Sequence, residues 1–357
     1  MKRMVITLLT VTALLLSLTG CGNSGTSEQS SASSEQSTEG QKDTSTYESE
    51  ITTNSVQEST SKPSNENTPV VYMTTDISSE GLMAAYESLG WTPTGNVAIK
   101  LSTGEPPASN YLDPNLIKDL VQSVDGTIVE CNTAYGGSRT STAMHMQVAE
   151  DHGFTAIADV DIMDADGSMS IPVNGGTQLK DNLVGSHFEN YDSYIVLSHF
   201  KGHQMAGFGG AIKNISIGLG SKEGKCLIHT AGNSHTTMQG GAQDPFLESM
   251  GEAGKSVSDY LGNGDRIVYD NVMLDLSFDC VCNGYPAVPD MHDIGILAST
   301  DPVALDQACI DLIYAQKDGD GASLVNRIES LNGLHTLEHA EEIGLGSRTY
   351  TLDSIDN

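Results

Sequence analysis

Basic residues are scarce in this sequence. Only 17 Lys and Arg stand against 47 Asp and Glu, which gives a formal net charge of −30. A chain of this charge repels phosphates, which argues against a nucleic-acid partner and against a basic lipid-binding face. Long apolar runs are scarce as well, because nothing after the amino-terminal segment is apolar enough to span a bilayer.

The amino-terminal segment resembles a lipoprotein signal. Lys2 and Arg3 precede the apolar run Met4–Leu18, and Thr19-Gly20-Cys21 follows it. This run of about 15 residues falls short of the ~20 that a spanning helix needs. Small residues before a cysteine resemble the bacterial lipobox, so we expect a signal peptide over 1–20 and a lipid on Cys21. An uncleaved anchor and a plain secretory signal are the alternatives, and the second leaves the position of the cysteine unexplained.

Two regions follow the signal. Residues 21–68 are rich in Ser, Thr, Glu, Gln and Asn, and they predict a disordered tether because they offer almost no apolar surface to bury. Residues 69–357 are long enough for a single large domain. We therefore expect a protein anchored by lipid to the extracytoplasmic face of the cell membrane.

Strand-like and helix-like runs alternate in the domain. The predicted strands are 96–101, 126–131, 193–198, 266–276 and 293–298, and the predicted helices are 114–124, 140–152, 246–261, 302–314, 322–331 and 337–343. This alternation predicts an α/β fold with a mostly parallel sheet and helices on both faces, with a division into two lobes as the alternative.

The segment 197–214 is the strongest candidate for a site. It follows a predicted buried strand, and open α/β sheets bind ligands at the carboxyl ends of their strands. Glycines permit a tight turn there, whose backbone N–H groups and lysines suit an anion. The candidate residues are Lys201, Gly209, Gly210, Lys213 and Asn214. The alternative is a surface turn with two hydrogen-bonded histidines.

A second candidate is a metal site. Cys280 and Cys282 form a Cys-x-Cys pair, and together with His199 and His203 they would make a Cys₂His₂ set suited to zinc, iron or nickel. Buried thiols or a strained disulfide are the alternatives. Of the six cysteines, Cys21 is assigned to the lipid, and the odd remainder cannot all pair within the chain.

Three further residues follow predicted strands. Arg139, in a loop after the second strand, could bind an anion or form a salt bridge. Asp301 before Pro302 looks more like a helix N-cap than a ligand. Asp306, about one turn later, could be a site carboxylate or a charge on the helix face.

Several familiar site motifs are absent. The segment 220–226 is one residue short of a P-loop and lacks its terminal Ser or Thr. The aspartates of 159–167 do not have EF-hand spacing, and neither a Gly-x-Ser-x-Gly elbow nor a His-Glu-x-x-His pair occurs.

Six longer motifs occur along the domain: Ile99-Lys-Leu101, Tyr135-Gly-Gly-Ser-Arg139, Leu197-Ser-His-Phe-Lys-Gly-His203, Gly207-Phe-Gly-Gly-Ala-Ile-Lys-Asn214, Asp279-Cys-Val-Cys282 and Ile294–Asp306. Together they resemble the family of domain of unknown function 362, and the resemblance extends from about Val97 to Tyr350. Many relatives carry a ferredoxin-like insertion after the stretch equivalent to 220–225. This chain has one cysteine in that region and no cluster motif, so the resemblance does not imply a ferredoxin-type iron–sulfur cluster here.

Three functional hypotheses follow. The first is redox or metal-dependent small-molecule chemistry at a metal or anion site, with a transition metal as the expected cofactor. The second is a non-catalytic lipoprotein that binds a solute or metal ion. The third is a structural or partner-binding surface protein whose motifs only maintain the fold.

The lipid on Cys21 can be tested directly. When the full chain is expressed in a bacterial host, Cys21→Ser should abolish labelling by a fatty acid and release the protein from the membrane fraction, because the acylated thiol is lost. Cys226→Ser should retain both properties. Undiminished labelling of the Cys21→Ser variant would contradict the lipoprotein assignment.

Overall fold

The central feature of the fold is a twisted sheet with helices packed on it. The computed structural model describes residues 68–279 and 283–356. The strands are β1 Val70–Thr74, β2 Val97–Lys100, β3 Thr127–Glu130, β4 Val160–Ile162, β5 Ser168–Pro172, β6 Asp181–Gly185, β7 Ser193–His199, β8 Lys201–His203, β9 Gly207–Gly209, β10 Ile267–Met273, β11 Gly295–Ser299 and β12 Thr351–Ser354. The helices are α1 Ser79–Ser88, α2 Pro114–Ser123, α3 Thr142–Asp151, α4 Ala211–Lys213, α5 Lys222–His229, α6 Gln243–Tyr260, α7 Pro302–Tyr314, α8 Ala322–Ser330 and α9 His335–Glu342.

The sheet is mostly parallel. Its eight strands have the order β12-β1-β11-β10-β7-β2-β3-β4. Strand β11 is antiparallel to both of its neighbours, and the other neighbouring pairs are parallel. Two short hairpins, β5–β6 and β8–β9, stand apart from this sheet.

Apolar side chains cover both faces of the sheet. In β7, Tyr194 and Val196 join one buried cluster, whereas Ile195 and Leu197 join another. This follows from the two-residue period of a strand, which sends successive side chains to opposite faces. Helices α1 and α2 contribute to the second cluster, and α6, α7 and α9 contribute to the first. The sequence-predicted fold class, an α/β fold with a mostly parallel sheet and helices on both faces, is confirmed.

The order of the strands reverses at β2. From β2 the chain moves outward to β3 and β4, and it then returns to form β7 and β10 on the other side of β2. The carboxyl ends of β2 and β7 therefore flank the point at which an open α/β sheet forms its ligand crevice.

Most of the predicted elements lie within a few residues of those observed. Helix α7 has the predicted bounds, and β7 is one residue longer than predicted. Sequence reasoning missed β1, α1 and α5, among others. The segment 220–226, which was compared with a P-loop above, instead begins helix α5. Ser221 caps this helix by accepting a hydrogen bond from Gly224 N at 3.1 Å.

The described elements belong to one compact unit and are not divided into two lobes. None of the helices in the described ranges has the length and apolar character needed to cross a bilayer. The predicted signal peptide, Cys21 and nearly all of the predicted tether lie outside the described residues.

One buried carboxyl group, that of Asp270, has no hydrogen-bond donor among the described residues. Asp270 lies in β10, and neither carboxyl oxygen accepts a hydrogen bond from a described residue. Burial raises the pKa of Asp270 to about 8, because the charged form is poorly solvated there.

This raised pKa makes stability depend on pH. The native state holds the proton between about pH 4 and the folded pKa of about 8, whereas the unfolded chain releases it, so stability falls as pH rises through this window. We expect Asp270→Asn to remove that fall and to exceed the wild type in stability at pH 8 by on the order of a few kcal/mol. Urea unfolding between pH 5 and 9 measures this, with the exposed Asp181→Asn as control. A pH-independent difference between Asp270→Asn and wild type would contradict it.

Candidate functional site

A cavity opens at the carboxyl edge of the parallel strands, where the strand order reverses. Its volume is about 330 Å³, which is at the lower end of the usual range for small-molecule sites. Residues from the ends of β2, β3 and β7, from the β8–β9 hairpin and from the chain around α4 and α5 line it. The polar and charged lining residues are Lys100, Ser102, Glu130, Thr133, Tyr135, Arg139, Ser198, His199, Lys201, His203, Gln204, Lys213, Asn214, Lys225 and His229.

One wall is a buried network of ion pairs around Glu130. Lys100 Nζ lies 3.2 Å from Glu130 Oε2, and Arg139 Nη1 lies 3.3 Å from Glu130 Oε1. Burial raises the pKa of Glu130, but the neighbouring Lys100, His145, Arg139 and Lys225 together lower it to about 2. Glu130 is therefore ionised throughout the neutral range.

Arg139 is held in place by further contacts. Its Nε donates to Glu105 Oε2 at 3.0 Å, Nη1 donates to Ser102 Oγ at 3.2 Å, and Nη2 donates to Tyr135 Oη at 2.9 Å. The alternative raised from the sequence, a salt-bridged Arg139, is thus what the structure shows, and the same side chain also lines the cavity.

The loop after β7 forms the opposite wall. His199 ends β7, and Lys201 and His203 lie on the β8–β9 hairpin. Gly202 is required between them, because a Cβ at this position would lie 2.3 Å from the backbone oxygen of Phe278. Lys201 Nζ donates to the carbonyl of His199 at 2.5 Å.

The two histidines are oriented differently. His199 Nε2 lies 2.5 Å from the carbonyl of Leu274 and must donate to it, which leaves Nδ1 as a buried acceptor with no partner among the described residues. His203 Nδ1 accepts from the backbone of Ala206 at 3.0 Å, so its proton is on Nε2. Burial lowers the pKa of His199 to about 3 and that of His203 well below its usual value, so both rings are neutral.

The third wall is an irregular helical turn. Helix α4 continues into a π-helical turn, Asn214–Gly218, a feature often found at functional sites. Asn214 Oδ1 accepts from Lys100 Nζ at 2.9 Å, and its Nδ2 donates to Ser198 Oγ at 3.0 Å. Gly218 leaves room for this contact, since a Cβ there would lie 2.9 Å from Lys100 Nζ.

The lining has more basic than acidic side chains. Five basic side chains face one carboxylate, Glu130. Lys100 and Arg139 pair with it, whereas Lys201 and Lys225 donate to backbone carbonyls and Lys213 makes no hydrogen bond to a described residue. No carboxylate in the described part of the chain forms a salt bridge with Lys201, Lys213 or Lys225.

The cavity unites most of the sequence-predicted anion residues: Lys201, Gly209, Gly210, Lys213, Asn214 and Arg139. Asp301 and Asp306 are not among its lining residues. Asp301 caps α7 by accepting from Val303 N and Ala304 N at 2.9 Å, as its position before a proline indicated. Asp306 accepts from Ala211 N at 2.8 Å and Ile212 N at 3.0 Å, and so fixes the turn that leads to Lys213.

The structure describes only two of the four predicted metal ligands. His199 and His203 line the cavity, but Cys280 and Cys282 lie outside the described residues. Among the residues that the structure does describe, no group of three or more His, Cys, Asp or Glu is arranged to hold a metal ion.

Sequence reasoning missed Lys100, Glu130, Lys225 and His229. The first two are charged residues one position before the ends of the predicted strands 96–101 and 126–131, and they end the observed β2 and β3, which is a signal that could have identified them. Lys225 and His229 could not be found in this way, because α5 was not recognised as a helix that reaches the cavity.

The central role of Glu130 gives a prediction. Glu130→Gln should destabilise the protein by roughly 3–5 kcal/mol, because it leaves buried Lys100 and Arg139 without their shared counter-charge. Urea unfolding at neutral pH measures this, with exposed Glu150→Gln as the matched control. Equal stability of Glu130→Gln and wild type would show that the network does not stabilise the fold.

Comparison with known proteins gives a family and distant structural likenesses. Comparison with curated protein sequences yields no match. The chain is similar to the lactate racemase apoprotein from Thermoanaerobacterium thermosaccharolyticum, with a TM-score of 0.43 and 13% identity, over 68% of this chain and 56% of that one. It is also similar to a protein from Thermotoga maritima, with a TM-score of 0.38 and 11% identity, over 74% of this chain and 58% of that one. The chain thus spans less than two thirds of either structure.

The family match covers the elements that build the cavity. Residues 97–311 match the family described as Domain of unknown function (DUF362), as the motifs had indicated. The matched stretch begins at β2 and includes every residue that lines the cavity. The protein therefore belongs to the DUF362 family.

Proposed function

We propose that this protein binds a small anion, a carboxylate or phosphate compound, in the cavity at the carboxyl edge of the sheet. The observation that supports this most directly is the charge imbalance of the lining, with five basic side chains around a single carboxylate. Buried charges are costly unless they are paired. A bound anion would provide the missing counter-charge for Lys201, Lys213 and Lys225.

The composition of the chain makes this concentration of charge unusual. The whole sequence has 17 Lys and Arg, and five of them line this one cavity of an otherwise strongly acidic protein. Walls of low polarisability strengthen the field of such a cluster inside a cleft. The acidic exterior would disfavour large polyanions, so a small ligand fits the charge distribution better than a nucleic acid.

Neutral hydrogen-bond donors complement the cations. With its proton on Nε2, His203 is a donor in the cavity wall. Tyr135 and Thr133 add hydroxyl groups to the same lining. These groups could orient a carboxylate or phosphate without adding charge.

A transition metal is the second part of the proposal. His199 suits a ligand, because its Nε2 donates to a backbone carbonyl and its Nδ1 lone pair is unused by the described residues. His203 suits a metal less well in this orientation, because its Nδ1 lone pair is already occupied by backbone N–H groups. His199 would therefore join Cys280 and Cys282 more readily than His203 would.

The cavity would serve either chemistry or binding. In the first case the protein performs redox or metal-dependent small-molecule chemistry, and in the second it is a non-catalytic solute- or metal-binding lipoprotein. Recovery of the ligand unchanged would favour the second. In either case the amino-terminal sequence supports a lipid anchor at Cys21 and a position on the extracytoplasmic face of the membrane.

Anion binding can be measured by calorimetry with the full chain, using malonate and inorganic phosphate as probes. Lys201→Met and Lys213→Met should each weaken binding at least about tenfold, or ~1.4 kcal/mol, because each removes a basic group that a bound anion would contact. Lys118→Met, on the exposed side of α2, should bind like the wild type. The proposed site would be contradicted if the wild type bound neither malonate nor phosphate. It would also be contradicted if Lys118→Met weakened binding as much as Lys201→Met and Lys213→Met do.

Metal binding can be checked by elemental analysis of the purified full chain after incubation with zinc, iron or nickel. We expect about one equivalent of metal, reduced by His199→Ala and by Cys280→Ser with Cys282→Ser, because these remove the proposed ligands. Exposed His235→Ala is the matched control. A chain that retains none of the three metals would rule out this part of the proposal.

A further inference from the structure

Lys213 differs from the other basic residues of the cavity because its amine has no hydrogen-bond partner among the described residues. Lys100 donates to Leu101 O at 2.5 Å and also contacts Glu130 and Asn214, while Arg139 donates four hydrogen bonds. Lys201 and Lys225 each donate to a backbone carbonyl at 2.5 Å. Among the described residues, Lys213 Nζ has neither a carboxylate nor a carbonyl partner, although its side chain lines the same cavity.

The stem of Lys213 is nevertheless held in position. A Cβ at Gly209 would lie 2.8 Å from Lys213 Cδ, so this glycine provides the space along which the side chain lies. The backbone before Lys213 is fixed by Asp306, which accepts from Ala211 N and Ile212 N. The turn thus positions the amine at the cavity, and no described residue forms a hydrogen bond with it.

The surroundings of this amine disfavour its protonation. Burial, followed by the charge of Lys100, lowers the pKa of Lys213 to about 8, with Arg139 and Lys225 acting in the same direction and Glu130 opposing them. A lysine with this pKa has a substantial neutral fraction near neutral pH. A neutral amine is a nucleophile, and lysines activated by burial and by a neighbouring cation form Schiff bases with carbonyl compounds.

We propose that Lys213 forms a reversible imine with a small ketone or aldehyde that carries a carboxylate or phosphate group. The inference rests on the proposed anion site, because the anionic group of this ligand would pair with the surrounding cations. A ligand whose anionic group is held there would bring its carbonyl carbon close to the one amine of the cavity that has no hydrogen-bond partner among the described residues.

The reaction balances without an oxidant or reductant. The lone pair of Lys213 Nζ attacks the carbonyl carbon, and the C=O π electrons move to oxygen, which takes up a proton to give a carbinolamine. Nitrogen then loses a proton. The hydroxyl group takes up a second proton and leaves as water when the C–O bond breaks, while the nitrogen lone pair forms the C=N bond. Loss of the remaining N–H proton gives the imine, so nitrogen has lost two protons, oxygen has gained two, and the products are an imine and one water molecule. His203, with its proton on Nε2, lies in the cavity wall as a hydrogen-bond donor for the oxygen atom.

Hydrogen bonding distinguishes Lys213 from its neighbours as the nucleophile. Lys100, Lys201 and Lys225 each donate to a backbone carbonyl, which restrains the orientation of the amine. Lys213 makes no such bond to a described residue, so its amine can turn towards a bound carbonyl group. Burial lowers the pKa of Lys201, and the charge of Lys213 is the next largest cause, so the two amines influence each other's protonation.

Trapping by borohydride tests the imine. The full chain is incubated with pyruvate or with dihydroxyacetone phosphate, reduced with sodium borohydride, and analysed by intact mass and peptide mapping. We expect one adduct per chain on Lys213, at least about tenfold more abundant than on exposed Lys118. Lys213→Arg should abolish the adduct, and Lys118→Arg should retain it. The probe that is trapped shows whether a carboxylate or a phosphate accompanies the carbonyl.

Calorimetry with malonate and phosphate, which have no ketone or aldehyde carbonyl, separates this inference from the anion site. Binding of either anion without any adduct from the carbonyl probes would overturn the imine and leave the anion site standing. An adduct confined to Lys100, Lys201 or Lys225, or no more abundant at Lys213 than at Lys118, would also overturn it. Failure of both binding and trapping would overturn the imine together with the anion site.

Discussion

The contact of Glu130 with Lys100 and Arg139 connects the parts of the cavity. Lys100 ends β2 and Glu130 ends β3, and Arg139 belongs to the loop after β3. A carboxylate buried alone would be neutral, but two cations keep this one charged. Asn214 extends the contact to the π-helical turn through Lys100 Nζ. The carboxylate of Glu130 thus links, directly or through Lys100, the ends of β2 and β3, the loop that contains Arg139 and the turn that follows Lys213.

The position of the cavity follows from the topology of the sheet. Because β7 and β2 lead to crossovers in opposite directions, their following segments diverge and leave a crevice at the carboxyl edge. Glycine then allows the segments to approach closely without closing the crevice. Gly202 contacts the backbone of Phe278, and Gly218 makes room for Lys100. Gly202, which lies in the motif Leu197–His203, therefore has a steric reason in this chain.

Global and local charge have opposite signs in this protein. A net charge of −30 favours solubility and repels large anions, whereas the cavity concentrates cations with one internal carboxylate. The histidines in the cavity add little charge, since burial lowers the pKa of His199 to about 3 and that of His229 to about 4. The field in the cavity therefore comes mainly from lysine and arginine side chains, and its strength depends on how many lysines remain protonated beside one another.

The sequence by itself determined the fold class, most central strands and helices, and the loop 197–214, because apolar periodicity and glycine content are local properties of the chain. It also identified Asp301 as a helix cap from its place before Pro302. Only the tertiary structure decided that Lys100 and Glu130 belong to the site, and that Asp306 supports the turn and does not line the cavity. Strands separated by a crossover meet only when the sheet forms, and the partners of a buried charge depend on that meeting.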